Sequence, residues 1–265
     1  MKETAYQEKK NNLFLILGGL FIMNALLAEI LGIKIFSLEK LLGTAPAQIN
    51  TFGDFVLNFD LTAGVILWPV VFITTDIINE YFGKKGVKKI SFLTAGLISV
   101  AFLMIYVITL LPPADFWLDF NNQDNQGNPF NIDFAYKLIF QQGLGIIIGS
   151  LVAFLIAQLL DVFVFQKLRR ITGSGKIWLR ATGSTLVSQF IDSFVVLFIA
   201  FYVWGNWPFE QVIAIGIVNY IYKFIIAILM TPFIYLGHAI IDRYLGKKNA
   251  ELLAEEAAES SKNLF

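Results

Sequence analysis

Six stretches of this chain are almost wholly apolar: 13–33, 61–81, 90–111, 138–164, 179–204 and 210–236. A helix of roughly 20 apolar residues crosses the hydrocarbon core of a bilayer. The pattern therefore predicts an all-α polytopic membrane protein with six transmembrane helices. Pro69 falls inside the second stretch and predicts a kink there. Between the stretches, 34–60 is half apolar and reads as a segment in the interface or a cap folded over a cavity. Residues 112–137 carry Asp115, Asp119, Asp124 and Asp133 among Pro, Gly and Asn, and read as a polar loop. The first stretch follows Lys2, Lys9 and Lys10, as in a signal peptide. It is too long for a signal core and lacks an A-x-A site, so it is expected to stay as a span. Residues 1–248 form one six-helix domain in this reading. Residues 249–265, rich in Ala and Glu, form a polar cytoplasmic tail, either a short exposed helix or disordered.

Charge gives the pattern an orientation. Of the 20 Lys and Arg residues, only Lys34, Lys40 and Lys137 fall in the segments that would share one side, and Lys223 lies within a span. The rest fall on the other side: at the N-terminus, at 84–89, at 167–180 and from Arg243 onward. Cations concentrate in cytoplasmic loops, so both termini are expected to be cytoplasmic. Trp117, Trp204 and Trp207 then mark the outer boundary and Trp178 the inner one. The composition, 57% hydrophobic and 15% charged, agrees with a membrane class. There is no Cys and one His. Disulfides, thiol nucleophiles and multi-His metal sites are thereby excluded, and no cofactor is expected. The chain has no P-loop, so it does not itself hydrolyse ATP.

Polar groups at membrane depth survive where they face protein or water. In the fifth stretch Ser184, Ser188 and Asp192 recur every four residues, with Thr185 and Gln189 beside them, as a stripe on one helix face. The plain reading of the hydroxyls is helix packing; a carboxylate needs more than that. Asn219 and Lys223 lie four apart in the sixth stretch, beside Tyr220 and Tyr222. Lys223 and Asp192 are at similar depth and are expected to pair, either as a self-neutralising ion pair or around a substrate. In the second stretch Asp76 is expected to pair with Arg180, while Glu80 reaches water; a staple at the inner end and a gate or proton site are both open. Asn24 lies mid-span in the first helix, with Glu29 nearer its outer end. Gln158 and Asp161 lie near the inner end of the fourth, where Asp161 is expected to partner the basic 167–180 segment. His238 is expected beyond the last span, as an interfacial residue.

The segments "TTDIINEYFGKK", "AQLLDVFVFQKLR", "WLRATGSTLVSQFIDSFVVLFIAF" and "VNYIYKFIIAILMTP" together resemble the queuosine precursor transporter family. That family belongs to the vitamin uptake transporter group, related to the substrate-binding subunits of energy-coupling-factor importers. The likeness runs from about Asn24 to Pro232. It implies a multi-pass importer in the bacterial inner membrane, not an enzyme, for 7-deazaguanine bases: 7-cyano-7-deazaguanine, 7-aminomethyl-7-deazaguanine or queuine. Asn24, Asp76, Asp192, Asn219 and Lys223 fall on its motifs. Such a base presents N1–H and N2–H2 as adjacent donors and O6 as an acceptor. One carboxylate can accept both donors, and Asp192 is the expected acceptor. Lys223, Asn219 or Gln189 can donate to O6, and Trp68 and Tyr220 can supply aromatic faces. The expected substrate set is Asp192, Lys223, Asn219, Gln189, Asn24, Ser188, Tyr220 and Trp68. The expected gate or proton-coupling set is Asp76, Glu80 and Arg180. Expected partners are a small-molecule base and the lipid bilayer, with no nucleic acid; a homodimer stays open.

Other classes fit less well. An intramembrane aspartyl protease would need Asp76 and Asp192 at one depth, in a motif that neither occupies. A serine hydrolase would need a base beside Ser184 or Ser188, and His238 is on another element. The main alternative is a substrate-binding subunit that a separate energising module drives, taking another flat nutrient such as a vitamin or purine.

Overall fold

A computed structural model describes residues 2–32, 34–50, 56–141, 144–173 and 175–261. Parts of five expectations lie outside the described residues: Ile33 of the first span, 51–55 of the 34–60 segment, Gln142 and Gly143 of the fourth span, Ser174 of the 167–180 segment, and 262–265 of the C-terminal tail. The chain runs α1 (Lys2–Leu31), β1 (Ile35–Ser37), α2 (Leu38–Leu42), β2 (Ile49–Asn50), β3 (Val56–Leu57), β4 (Asp60–Thr62) and a 3-10 turn (Ala63–Ile66). Then come α3 (Trp68–Thr109), α4 (Asp115–Phe120), α5 (Ile132–Phe140), α6 (Leu144–Thr172), α7 (Ile177–Leu197), a π-helical turn (Phe198–Val203), α8 (Phe209–Leu245) and α9 (Lys247–Ser260). Among the described residues, five helices are long and apolar enough to cross a membrane: α1, α3, α6, α7 with its π turn, and α8. The protein is an all-α polytopic membrane protein.

The second and third expected spans both lie in α3, which is not straight. Gly83 has φ 63° and ψ −169°, far from helical values. A Cβ placed on Gly86 would lie 3.4 Å from Cγ2 of Ile78. Eight residues along a straight helix would separate them by about 12 Å. The chain therefore folds sharply at Gly83 and α3 has two arms. Pro69 does not kink the first arm. It sits in the opening turn of α3, where its missing N–H leaves no bond unmade. The break belongs to glycine, because φ near +60° costs any residue with a Cβ about 1–2 kcal/mol. A Cβ at Gly83 would also meet Ala257 O at 2.7 Å and Ser261 Oγ at 2.8 Å. Gly83→Ala is therefore expected to lower the melting temperature of the detergent-solubilised protein by several degrees; an unchanged melt would remove the turn from its place in the fold.

The C-terminal segment forms a helix, but one that is not exposed all round. Ala250, Leu253 and Ala257 of α9 are buried, and Leu253 joins Phe21, Val71, Ile78, Val87, Ile98 and Val162 in the main apolar core. The backbone N–H of Lys84 donates to Ser261 Oγ, Arg169 donates to Ala254 O, and Lys10 pairs with Glu256. Three apolar residues at helical spacing made this docking possible, and the alternating Glu residues hid it from a reading of composition.

The connecting segments are more ordered than a loop reading expects. Within 34–62, β1 pairs antiparallel with β4, and β2 with β3. Glu39 holds this ribbon together: it accepts from Phe59 N, Ala47 N and Ser37 Oγ. The Phe59 N–H, with the other donors, holds its carboxyl below the usual range. The 112–137 segment contains α4 and α5 around a turn at Asp124. There Asn128, through its side chain and backbone, and Gln126 N donate to the carboxylate and hold it low. The last expected span is longer than its apolar run: α8 continues past 236 to Leu245. This carries His238 inside the bundle, where Nδ1 lies 2.7 Å from Tyr81 OH on α3.

Candidate functional site

Helix α7 carries a polar face through the bundle. Arg180, Ser184, Ser188 and Asp192 recur every four residues on one face, and each step is about 6 Å. They mark three layers.

The first layer closes the bundle beside α9. Arg180 is 1% exposed. Its Nε and Nη2 donate to the two oxygens of Glu80 at 3.0 and 2.8 Å, a bidentate fork. Its Nη1 donates to Gly173 O and Gly175 O. Gly173, at φ 62°, ends α6 in a left-handed turn, which a glycine favours. Arg169 adds Nη1 to Glu80 O at 2.9 Å and Nη2 to Glu80 Oε1 at 3.3 Å. Glu80 is thus clamped by two arginines and does not reach water. It is Glu80, one turn along from Asp76, that partners Arg180. The long guanidinium reaches past Asp76 to the carboxylate nearest the α6–α7 turn. Next to this cluster, Gln166 donates to Asn79 Oδ1 at 2.7 Å.

The middle layer is a narrow crevice lined by Phe72, Thr75, Gln158, Asp161, Thr185, Ser188 and Gln189. A second crevice, which includes Asp76, Thr182, Met230 and Ile234, adjoins it across Phe72 and Thr185. Both are closed down around their side chains. Thr75 Oγ1 donates to Val71 O within its own helix and lies 3.4 Å from Gln158 Oε1. Asp161 does not reach the basic 167–180 segment. Arg169 and Arg180 there bond Glu80 and backbone carbonyls, and Asp161 instead faces α7. Among the described residues, its Oδ2, Asp76 Oδ1 and Gln189 Oε1 are buried without a hydrogen-bond partner.

The outer layer is an ion pair. Lys223 Nζ lies 2.5 Å from Asp192 Oδ2, with side chains 18% and 21% exposed. Ser150 Oγ donates to Glu29 Oε1, and the Glu29 and Asp192 charges are close enough to interact. The sequence expectation that Asp192 and Lys223 meet is what the helices deliver, because α7 and α8 pack side by side.

Of the expected substrate set, Ser188 and Gln189 line the crevice. Asp192 and Lys223 bind each other one turn beyond it. Asn24 is buried and donates to Leu20 O within α1. Trp68 stacks on Phe72, at 6.1 Å and 18°, and reaches the crevice only through it. Tyr220 meets Phe190 edge-on, and Asn219 lies one turn from Lys223 on α8. Sequence reasoning noted Gln158 and Asp161 but left both out of the substrate set, and it passed over Phe72. The signal for the first two was present: two polar residues three apart inside an apolar run, hence on one helix face.

Residues 62–237 match the family described as putative vitamin uptake transporter. A probable queuosine precursor transporter of Bacillus subtilis (strain 168) is 32% identical over 187 residues, 69% of this chain and 75% of that protein. One from Haemophilus influenzae (strain ATCC 51907 / DSM 11121 / KW20 / Rd) is 31% identical over 189 residues, 71% of this chain and 70% of its own. The queuosine precursor transporter of Escherichia coli (strain K12) is 31% identical over 176 residues, 65% and 70% of the two chains. No solved structure matches. The matched region runs from the end of β4 through α3, α6 and α7 into α8, and so takes in all three polar layers. With its long apolar helices, the chain is a multi-pass protein of the bacterial inner membrane, and it belongs to the putative vitamin uptake transporter family.

Proposed function

We propose that this protein imports queuosine precursors, 7-deazaguanine bases such as 7-cyano-7-deazaguanine, 7-aminomethyl-7-deazaguanine or queuine. It crosses the membrane six times, with α3 contributing two crossings and both termini cytoplasmic. One observation carries the reading: a crevice in the middle of the bundle holds buried polar groups that the protein leaves unsatisfied. Buried polar groups are normally paired, so unpaired ones around a crevice suit a polar ligand. Phe72 offers a flat ring its face. The queuosine precursor transporters among the relatives supply the ligand class.

The layers then divide the work. The Asp192–Lys223 pair covers the crevice on the outer side and must part for a base to pass. Glu80, Arg169 and Arg180 close the inner side, with Asp76 between the clamp and the crevice. A base enters only when helices separate, because the crevice is closed in this conformation. Thermal-shift screening of the purified chain tests the ligand class, since a ligand that binds the folded state raises its melting temperature. A 7-deazaguanine is expected to give a larger shift than guanine or any common vitamin. A vitamin shifting the melt more than every deazaguanine would overturn the reading, in favour of a binding subunit for another flat nutrient.

A further inference from the structure

We infer that Asp161, not Asp192, reads the guanine-like edge of the substrate, with Gln189 as a second acceptor. The inference rests on the proposed transport of deazaguanines and names the recognition group within it. Asp161 is 5% exposed and lines the crevice. The cations nearby are committed elsewhere: Arg169 and Arg180 to Glu80, Lys223 to Asp192. Its neighbours satisfy it only in part. Ser188 has one hydroxyl proton and two acceptors, Thr185 O at 3.1 Å and Asp161 Oδ1 at 3.2 Å. The Ser184 hydroxyl is shared in the same way, between Ala181 O and the Asp161 carboxyl. Among the described residues, Asp161 Oδ2 has no hydrogen-bond partner, and neither has Gln189 Oε1 on the facing helix.

The crevice therefore has an excess of acceptors. What completes it is a flat molecule rich in donors. A 7-deazaguanine has N1–H and N2–H2 side by side, the spacing one carboxylate accepts as a charge-assisted pair. It also has a pyrrole N–H for a further acceptor. Asp192 is less suited, since Lys223 already holds its Oδ2 and it stands outside the crevice.

The probes are 7-deazaguanine and 7-deazahypoxanthine, which keeps N1–H but lacks the 2-amino group. Affinities are measured on the full chain in detergent, for the wild type, Asp161→Asn and Asp192→Asn. The wild type is expected to prefer 7-deazaguanine by about tenfold or more. Asp161→Asn is expected to bind it about 30-fold more weakly or worse and to lose the preference. Asp192→Asn keeps the preference. The ligand-free melting temperature of Asp161→Asn is expected to hold or rise, because a buried unpaired carboxylate is replaced by a neutral isostere. Three results each overturn the inference: unchanged affinity and preference in Asp161→Asn, loss of preference in Asp192→Asn instead, or a lower ligand-free melt or failure to fold in Asp161→Asn, which would make the carboxylate a structural brace. Failure of the wild type to bind either base would count against the transport reading itself.

Discussion

Arg180→Met is expected to destabilise the protein by about 3–5 kcal/mol, enough to deplete the folded form. The reason is what the substitution leaves behind. Glu80 is 5% exposed and would lose its bidentate partner. Arg169 remains, but its contact with Glu80 Oε1 is the longer one at 3.3 Å, and its other bonds go to backbone carbonyls. Gly173 O and Gly175 O would lose their donor as well, loosening the α6–α7 turn. The check is the folded fraction by size exclusion in detergent, with the melting temperature. Adding Glu80→Gln should recover most of the loss, since no carboxylate is then stranded. A single variant that melts like the wild type would show that the clamp does not hold the bundle's end.

The second large effect is expected at the outer layer. Lys223→Met leaves Asp192 without its bonded cation and within electrostatic reach of Glu29. Losing a hydrogen bond to a charged group should cost roughly 1.5–3 kcal/mol. The figure stays at that level because both side chains keep about a fifth of their exposure. The double variant Lys223→Met with Asp192→Asn removes both charges and should regain wild-type stability. Its ligand affinity separates two roles for Asp192. If the pair only covers the crevice, the folded double variant binds a 7-deazaguanine within a few-fold of wild type. If binding is lost while folding is restored, recognition returns to Asp192 and leaves Asp161.

Length, hydropathy and helical period are local properties, and they were legible. The apolar runs located the long helices, and the four-residue spacing from Ser184 to Asp192 put those groups on one face whatever α7 packs against. The Asp192–Lys223 pairing was legible too, because two opposite charges at one depth in neighbouring spans have few other partners. The sequence could not show which cation answers which of the inner carboxylates. Asp76, Glu80 and Asp161 are equivalent by type, and Arg169, Arg180 and the 167–180 turn are all within a few residues of the same depth. That choice depends on where α3, α6 and α7 approach, and on the Gly173 turn that aims two carbonyls at Arg180. It gave both arginines to Glu80 and left Asp161 facing the crevice. The docking of α9 has the same origin. Ala250, Leu253 and Ala257 form too narrow an apolar face to stand out in an Ala/Glu helix; Ala250 and Leu253 are buried in the apolar core, and Ala257 comes close because Gly83 has no side chain to keep it away.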